Sequence, residues 1–310
     1  MNVLVLSKDD LLKVADSSTL VESAKEAFSS FSTGKITQPE RQVFTVNGNW
    51  WGSMIGFNQH SFGTKIVNVI NENKEKGKAS VNGIAVLFSS ESGEAECIAE
   101  GSTLTALRTA AASVLSTWIA LGRRYFNSLG VIGAGEEAYY HVRVARDFFS
   151  IGDIMITARS SHVKVAKELG LISTDLKTLL SSSEVIYSTT SSREPVVLGR
   201  FLKPEFHVSS IGAHTPDSRE LDDEVISKAR TVIVDSKEAT SKESGDIIVP
   251  GRLGLLNDKL IEIGEVISKG IKVERPSVFK TVGIASQDLM AMSYLCKKAE
   301  KEGIGKEVSI

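Results

Sequence analysis

Residues 129–138 read LGVIGAGEEA, and this stretch decides the fold. An apolar run leads into the glycine pattern G-x-G-x-x-A, and two acidic residues then open a helical segment. In a strand–turn–helix unit the first glycine permits a tight turn, the second lets the backbone approach a pyrophosphate, and the final small residue lets helix pack on strand. The pattern predicts a dinucleotide site at Gly133, Ala134, Gly135, Glu136 and Glu137. An ordinary strand–turn–helix connection is the alternative.

The segments that follow support the first interpretation. Apolar stretches at 129–133, 153–157, 184–189, 206–211 and 231–235 alternate with helical segments, and a weaker apolar stretch lies at 171–172. This alternation is typical of βαβ units that build a parallel sheet. The glycine turn therefore follows the first strand of a Rossmann-type domain, which we predict over residues 121–276.

The first hundred residues have a different pattern. Short apolar segments at 43–46, 50–57, 64–70, 81–88 and 95–99 are separated by turns, one of them Asn47-Gly48. This favours an antiparallel sheet, with two helices before residue 34 covering one face. Helix starts are predicted at Ser7 and Thr19, and a small-sided helix is predicted over 102–121. Residues 278–300 should return to this unit, so an α+β domain of 1–120 and 277–310 receives the Rossmann domain as an insertion: an α/β protein overall.

Composition excludes several classes of protein. The chain has 310 residues, a net charge of -2, 42% hydrophobic and 24% charged residues, so we expect no nucleic-acid and no membrane partner. Its first apolar run ends at Leu6, too short for a signal peptide, and no apolar run approaches about 20 residues. Cys97 and Cys296 are far apart and support no disulfide framework, which favours a cytoplasmic location. The five histidines have no metal-ligand spacing, so we expect no metal.

Two cations lie in apolar surroundings. Arg108 is the only charged residue between Glu100 and Arg123, so it must be paired, either in an internal salt bridge or as a clamp for an anionic ligand. Lys65 alternates onto the same strand face as Val67. It is either an edge-strand gatekeeper or a partly buried lysine with a lowered pKa, suited to proton transfer at an amine or imine nitrogen.

Arg41 precedes a strand, and from its position alone a surface location is favoured over a functional one. Cofactor choice depends on the end of the second Rossmann strand, where enzymes that use NAD commonly carry an acid. Residues 154–161 read IMITARSS and contain no acid. Ala158, Arg159 and Ser160 therefore predict binding of a 2′-phosphate, so NADP(H) is favoured and NAD(H) is possible. A solvated loop arginine is the alternative.

Polar residues follow two further strands, at the strand ends where ligands bind in open α/β sheets. Thr190 and Ser191 follow the fourth strand, and Ile211, Ala213 and His214 follow the next. We predict that these residues line the ligand site. His214 is either a proton donor or a turn residue before Pro216.

The chain resembles the ornithine cyclodeaminase/mu-crystallin family over nearly its whole length. The stretches that carry the resemblance are TALRTAAA at 105–112, GAGEEA at 133–138, IGAHTPDSRELD at 211–222, KESGD at 242–246 and VFKTVG at 278–283. The resemblance implies a Rossmann domain inserted into a domain that also forms a dimer interface. It further implies a nicotinamide cofactor, a small amino or imino acid as ligand, and a homodimer.

The resemblance also assigns expected roles to single residues. Lys65 matches the family's proton-transfer lysine, and Arg41 and Arg108 match arginines that hold the substrate carboxylate and line the cofactor site. Glu243 and His214 fall in segments that line the substrate pocket, and Thr281, Ser80 and Asn82 fall in segments with cofactor contacts. Three departures stand out: family cyclodeaminases carry an aspartate in place of His214 and a glutamate in place of Gly52, and Glu136-Glu137 replaces a neutral residue or glutamine.

The leading hypothesis is an NAD(P)-dependent oxidoreductase with hydride transfer at the α carbon and Lys65 as acid/base. It would be a ketimine or cyclic imino-acid reductase, or would resemble alanine dehydrogenase. Two alternatives remain: an ornithine cyclodeaminase that releases ammonia with recycled NAD, and an NADPH-dependent small-ligand binding protein of mu-crystallin type.

Overall fold

The computed structural model describes residues 1–73 and 76–310 and divides them into two compact units. The strands are β1 (Asn2–Leu6), β2 (Gln42–Val46), β3 (Asn49–Phe57), β4 (Ser61–Val69), β5 (Val81–Ser89), β6 (Ala95–Glu100), β7 (Tyr125–Ile132), β8 (Ser150–Thr157), β9 (Ile172–Ser173), β10 (Val185–Ser188), β11 (His207–Ser210), β12 (Thr231–Val234), β13 (Leu260–Glu262), β14 (Ser277–Lys280) and β15 (Lys306–Ser309). The α-helices are α1 (Lys8–Val14), α2 (Ser17–Ser32), α3 (Gly101–Leu121), α4 (Glu136–Phe148), α5 (His162–Leu169), α6 (Leu176–Ser182), α7 (Asp223–Lys228), α8 (Lys237–Glu243), α9 (Gly245–Arg252), α10 (Ile263–Lys269) and α11 (Ala285–Glu302).

The first unit comprises Met1–Arg108 and Ile284–Ile310 and contains a sheet of order β15-β1-β6-β5-β4-β3-β2. Strands β2 to β6 form the predicted antiparallel meander, and the β2–β3 hairpin turns at Asn47 and Gly48, both with positive φ. The terminal strands were not predicted. Strand β1 pairs with β6 in parallel and with β15 antiparallel, a long-range pairing that no local pattern signals.

Helices pack on one face of this sheet. Helix α1 begins after Ser7, whose side chain accepts the Asp10 amide in the predicted capping box. Helix α2 begins at Ser17 rather than at the predicted Thr19, because the Asp16 carboxylate accepts the Thr19 amide at 2.8 Å and is the N-cap. Helix α11 packs against α2, β3 and β4. The inner face therefore belongs to helices from both ends of the chain.

A disulfide joins Cys97 on β6 to Cys296 on α11. The expectation that no disulfide framework is supported was therefore wrong. The two cysteines are 199 residues apart in sequence, but the packing of α11 brings their Cα atoms to 6.4 Å. Sequence separation says nothing about distance when a C-terminal helix returns to the N-terminal sheet.

The second unit, Thr109–Gly283, contains a sheet of order β13-β12-β14-β11-β10-β7-β8-β9 in which every pair is parallel. The predicted α/β class is confirmed. Strand β14 lies between β11 and β12, so residues 277–280 belong to this sheet and not, as the sequence predicts, to the other domain. The central strands β10, β11 and β14 are buried on both faces, as expected of a parallel sheet covered by helices.

Among the described residues, α3 is the one helix long and apolar enough to cross a membrane by length and composition. Of its most apolar window, 78% is buried inside the protein, as in the core helix of a globular fold. This test is therefore weak support for a membrane span.

Candidate active site and dinucleotide site

The glycine turn has the geometry that a pyrophosphate site needs. Gly133 has φ +119°, and a Cβ there would lie 2.5 Å from Thr189 Oγ1 and 2.9 Å from the Thr189 carbonyl oxygen, so only glycine fits. Gly135 is the N-cap of α4 with no side-chain cap bond, and a Cβ there would meet nothing within 4 Å. The free N–H groups and the positive end of the helix dipole face this open space. The space therefore suits an anionic phosphate group.

The two acids after this turn lie in different surroundings. Glu136 is exposed, whereas Oε2 of the partly exposed Glu137 lies 3.5 Å from His141 Nδ1, one helical turn along. Burial lowers the pKa of His141 to about 4, so the imidazole is neutral near pH 7 and does not compensate the carboxylate. Both acids lie in the first turn of α4, directly after the glycine turn predicted to bind the pyrophosphate.

The loop after β8 presents an available cation. Ala158 is half-buried, while Arg159 and Ser160 are exposed, and Ser161 with φ 68° leads into α5. Within the described residues we find no ion pair for Arg159. A guanidinium without a carboxylate partner at this strand end fits a 2′-phosphate.

The loops after β10 and β11 lie against each other. A Cβ on Gly212 would come within 1.6 Å of the Thr190 carbonyl oxygen, so the two backbones pack directly together. Thr190 and Ser191 lie near the start of the first loop, and Ile211 and Ala213 are buried in the second. His214 is exposed, with Nδ1 2.8 Å from the carbonyl oxygen of Gly212 in its own loop.

Two further predicted residues lie in the same unit. Thr281 is buried, and its hydroxyl donates to Asp235 Oδ2 at 2.7 Å. Glu243 is the half-buried last residue of α8. Their predicted contacts with cofactor and substrate stay predictions.

Lys65 is buried on the inner face of β4, with 1% of its surface exposed. Strand β4 lies between β3 and β5, so the gatekeeper alternative, which needs an edge strand, is wrong. Its Nζ donates to Asp288 Oδ1 at 2.7 Å and to Thr105 Oγ1 at 3.1 Å. Burial lowers the pKa of Lys65 to about 8, an effect that Asp288 opposes and Arg108 and Arg41 reinforce.

Arg108 is 6% exposed and donates from Nε to Asp288 Oδ1 at 3.1 Å and from Nη1 to Gln287 Oε1 at 3.4 Å. It therefore forms the internal ion pair considered from the sequence, and the anion clamp stays a prediction. Burial of Asp288 opposes its ionisation, but the charges of Lys65 and Arg108 outweigh burial and lower the pKa of Asp288. Oδ2 of Asp288 has no hydrogen-bond partner among the described residues.

Sequence reasoning missed Asp288. A signal was present: Asp288 lies on the same face of α11 as Met292 and Leu295, four and seven residues later, and both are buried. An acid on such a face needs a buried cation, and Lys65 and Arg108 were the two candidates.

The division into units separates the predicted site residues. The first unit holds Lys65, Arg108, the half-buried Arg41 and Ser80, and the exposed Asn82. The second holds the glycine turn, the Arg159 loop and the residues after β10, β11 and β14. In the described part of the chain, no three histidine, cysteine, aspartate or glutamate side chains are placed to hold a metal ion.

The model of the ornithine cyclodeaminase/mu-crystallin family matches residues 1–303. The chain belongs to this family. It is 31% identical over 329 aligned positions to a Delta(1)-pyrroline-2-carboxylate reductase from Bacillus cereus, with 99% of both chains covered.

Two solved structures are similar over essentially whole chains. One is the Delta(1)-pyrroline-2-carboxylate reductase of Thermococcus litoralis in complex with NADH and L-proline (28% identity, TM-score 0.88, 99% of this chain and 100% of that chain). The other is an archaeal alanine dehydrogenase dimer with bound NAD (26% identity, TM-score 0.87, 100% of both chains). The predicted class, a nicotinamide-dependent oxidoreductase of a small amino or imino acid, is the class of these relatives.

Proposed function

We propose that this protein reduces a small cyclic imino acid, such as pyrroline- or piperideine-2-carboxylate, with NADPH as the favoured reductant and Lys65 as the proton donor. The observation that carries the proposal is the buried Lys65–Asp288–Arg108 cluster, in which the lysine pKa falls to about 8. The names of the reductase relatives support the substrate class.

The proposed reaction needs a hydride and a proton. A dinucleotide, when bound, would supply the hydride for the imine carbon. Lys65 holds a proton at the substrate nitrogen, so that the imine becomes an amine and the lysine then recovers a proton from solvent. A lysine with a pKa near 8 suits this role better than an ordinary one, because it is still mostly protonated at pH 7 yet is a stronger acid.

Asp288 and the two arginines have separate proposed tasks. Asp288 orients the ammonium group and limits the fall of the lysine pKa, since it is the acceptor at 2.7 Å. We assign the substrate carboxylate to Arg108 and Arg41, because guanidinium groups bind carboxylates through paired hydrogen bonds. Positioning of this kind can supply roughly 7–11 kcal/mol of the barrier reduction.

The choice of reductant rests on the Arg159 loop. Arg159 and Ser160 are exposed, and no acid occupies residues 154–161 to bind a ribose 2′-hydroxyl. We therefore propose NADP(H) as the favoured cofactor, with NAD(H) as a possible second.

The experiment follows NADPH and NADH absorbance with cyclic imines, with pyruvate plus ammonia, and with ornithine, while ammonia is measured in parallel. Reduction of a cyclic imine supports the proposal. Consumption with pyruvate and ammonia would indicate an alanine dehydrogenase, in line with one solved relative. Ammonia release from ornithine without net cofactor use would indicate a cyclodeaminase, and ligand binding without turnover would indicate a binding protein.

We also propose a homodimer that covers the outer face of the first unit's sheet. Trp51, Ile66 and Ile84 lie on the face opposite Lys65 and are 41%, 51% and 47% exposed, and Phe44 on the paired edge strand is 63% exposed. Exposed apolar surface of this extent commonly marks an interface. A related alanine dehydrogenase is a dimer. Light scattering should give twice the chain mass, and Ile66→Lys should give the monomer.

The cytoplasm remains the proposed location, because the cofactor and the amino-acid chemistry belong to metabolism. The disulfide between Cys97 and Cys296 counts against a strongly reducing compartment. The redox state of the two thiols in rapidly quenched cells tests this point.

A further inference from the structure

Glu220 is a fully buried carboxylate for which sequence reasoning had no role. Its Oε1 accepts hydrogen bonds from Ser188 Oγ at 2.7 Å, the Thr190 amide at 2.6 Å and Thr190 Oγ1 at 2.9 Å. Its Oε2 accepts from the Ile211 amide at 3.0 Å and the Gly212 amide at 2.7 Å, and it lies 2.8 Å from Ser210 Oγ, whose single proton is also within reach of Asp246 Oδ2 at 2.7 Å. Both oxygens are thus fully occupied by donors.

These donor groups belong to two neighbouring strands and the loops that follow them. Those on Oε1 come from the carboxyl end of β10 and its loop, and those on Oε2 come from the carboxyl end of β11 and its loop. An ionised carboxylate accepts hydrogen bonds and donates none, so it is the side chain that matches a ring of donors. One side chain therefore fixes two loops to each other.

Glu220 is itself held in place by charge and hydrogen bonds. The amides of Glu220 and Leu221 each donate to Asp246 Oδ1 at 2.9 Å. Lys280 Nζ lies 3.6 Å from Asp246 Oδ2 and donates to Ser210 Oγ at 3.2 Å. Glu220, Asp246 and Lys280 are all fully buried, so the cluster holds two acids and one cation away from water.

A need for stability alone does not explain such a cluster. Burial of charges carries a large desolvation penalty, and apolar residues of similar volume often serve the fold as well or better. The location of the cluster suggests another reason for it, since ligands of parallel α/β sheets bind at the carboxyl ends of the strands.

We propose that Glu220 is a positioning residue for dinucleotide binding: it fixes the loops of β10 and β11 in the conformation that receives the cofactor. The proposal rests on the proposed function, because it takes a nicotinamide dinucleotide as the ligand. When the loops are already ordered, cofactor binding does not carry the entropic cost of ordering them. Loss of Glu220 should therefore weaken cofactor affinity. The turnover of the loaded enzyme should change little.

The test is Glu220→Gln, with NADPH and NADH titrated by fluorescence and the thermal midpoint measured. The amide turns an NH₂ group toward one set of donors, which loses at least one charge-assisted hydrogen bond. We expect the Kd and the KM for dinucleotide to rise about tenfold or more, while kcat at saturating dinucleotide stays within about twofold.

Asp222→Asn is the matched control. Asp222 also accepts backbone amides, from Val225 at 2.9 Å and from Gly199 at 3.0 Å, but these belong to α7 and to the 199–201 turn. The control should lower the thermal midpoint and leave the dinucleotide Kd unchanged. A lower midpoint with unchanged Kd in Glu220→Gln would give Glu220 a structural role only and overturn the proposal.

Ser188→Ala keeps the proposal testable where Glu220→Gln fails to fold. It removes one donor to Oε1 and should raise the Kd about threefold, as expected for a neutral hydroxyl donor; an unchanged Kd overturns the proposal. If the wild type binds dinucleotide and Glu220→Gln binds it with the same Kd, the Glu220 proposal alone is wrong. If the wild-type protein binds neither NADPH nor NADH, both the Glu220 proposal and the proposed function are wrong.

Discussion

Lys65 Nζ lies 2.7 Å from Asp288 Oδ1, and the two side chains are 1% and 6% exposed. The same oxygen accepts Arg108 Nε at 3.1 Å, so one buried carboxylate faces two buried cations. The local charge is positive, and burial disfavours the ammonium form further. Burial lowers the pKa of Lys65 to about 8 and Arg108 lowers it as well, while Asp288 opposes both, so the lysine can exchange a proton near neutral pH.

Replacement of this carboxylate should move the pH profile. In the wild type, imine reduction should decline above about pH 8 as Lys65 loses its proton, and amine oxidation should rise over the same range. Asp288→Asn removes the group that favours the charged lysine. The alkaline limb of the pH profile, where imine reduction declines, should therefore shift to lower pH, and kcat/KM at pH 8 should fall about tenfold or more. Steady-state rates from pH 6 to 10 measure this. Asp9→Asn, an exposed acid on α1, should leave the limb in place, and an unmoved limb in Asp288→Asn would contradict the account.

Arg159 should govern discrimination between the two dinucleotides. Arg159→Ala removes a charge-assisted contact with a 2′-phosphate, so we expect the KM for NADPH to rise about tenfold while the KM for NADH changes less than about twofold. Lys164→Ala is the control, since Lys164 is an exposed cation on the following helix. Equal changes for both cofactors would refute a 2′-phosphate site at this loop.

Two buried histidines should make the second unit sensitive to acid. Burial lowers the pKa of His141 to about 4 and that of His207 to about 3, against about 6.5 in an unfolded chain. Below pH 6.5 the unfolded state then binds more protons than the folded state. The free energy of unfolding that is present above pH 6.5 is therefore lost as the pH falls toward the folded pKa values. Between pH 7.5 and 5 the loss is on the order of 2 kcal/mol per histidine. Denaturant unfolding at both pH values measures it.

The histidine account has an internal control. His141 Nε2 lies 3.0 Å from Ser113 Oγ, and glutamine offers a polar replacement that does not titrate. His141→Gln should lose about half of the pH dependence, with His207 supplying the rest. Equal stability of the wild type at pH 7.5 and pH 5 would remove the histidines from the explanation.

The disulfide should contribute to the stability of the first unit. Cys97–Cys296 closes a loop of 199 residues, for which chain entropy alone corresponds to about 5 kcal/mol in the unfolded state. A Cys97→Ser/Cys296→Ser double variant should therefore unfold at lower denaturant concentration. In unfolded, unreduced protein neither cysteine should react with iodoacetamide. Two alkylated cysteines under those conditions would show that the bond does not form.

Sequence reasoning located the features with local signatures. The glycine turn has a fixed spacing, Lys65 shares a strand face with Val67, and Arg108 interrupts an apolar helix, so each could be recognised from its neighbours. The strand alternation likewise predicted the parallel sheet and the meander. These are properties of short segments and need no knowledge of tertiary contacts.

The partners of those residues could not be found in this way. Asp288 and Lys65 are hydrogen-bonded although they are 223 residues apart in sequence, and Glu220 and Ser188 are hydrogen-bonded although they are 32 residues apart. Packing brings these distant segments together. The disulfide and the terminal strands β1 and β15 have the same origin. A buried charge predicts that a partner exists, but only the fold shows which residue it is.

The most direct test of the central claim is the rate of imine reduction by Lys65→Met. Methionine has similar length and no charge, so the Arg108–Asp288 pair and the fold should persist. We measure kcat for NADPH-dependent reduction of pyrroline-2-carboxylate and piperideine-2-carboxylate beside the dinucleotide Kd. The account predicts a kcat at least about 100-fold lower with Kd within about twofold. A kcat within about threefold of the wild type would contradict the assignment of Lys65 as the proton donor.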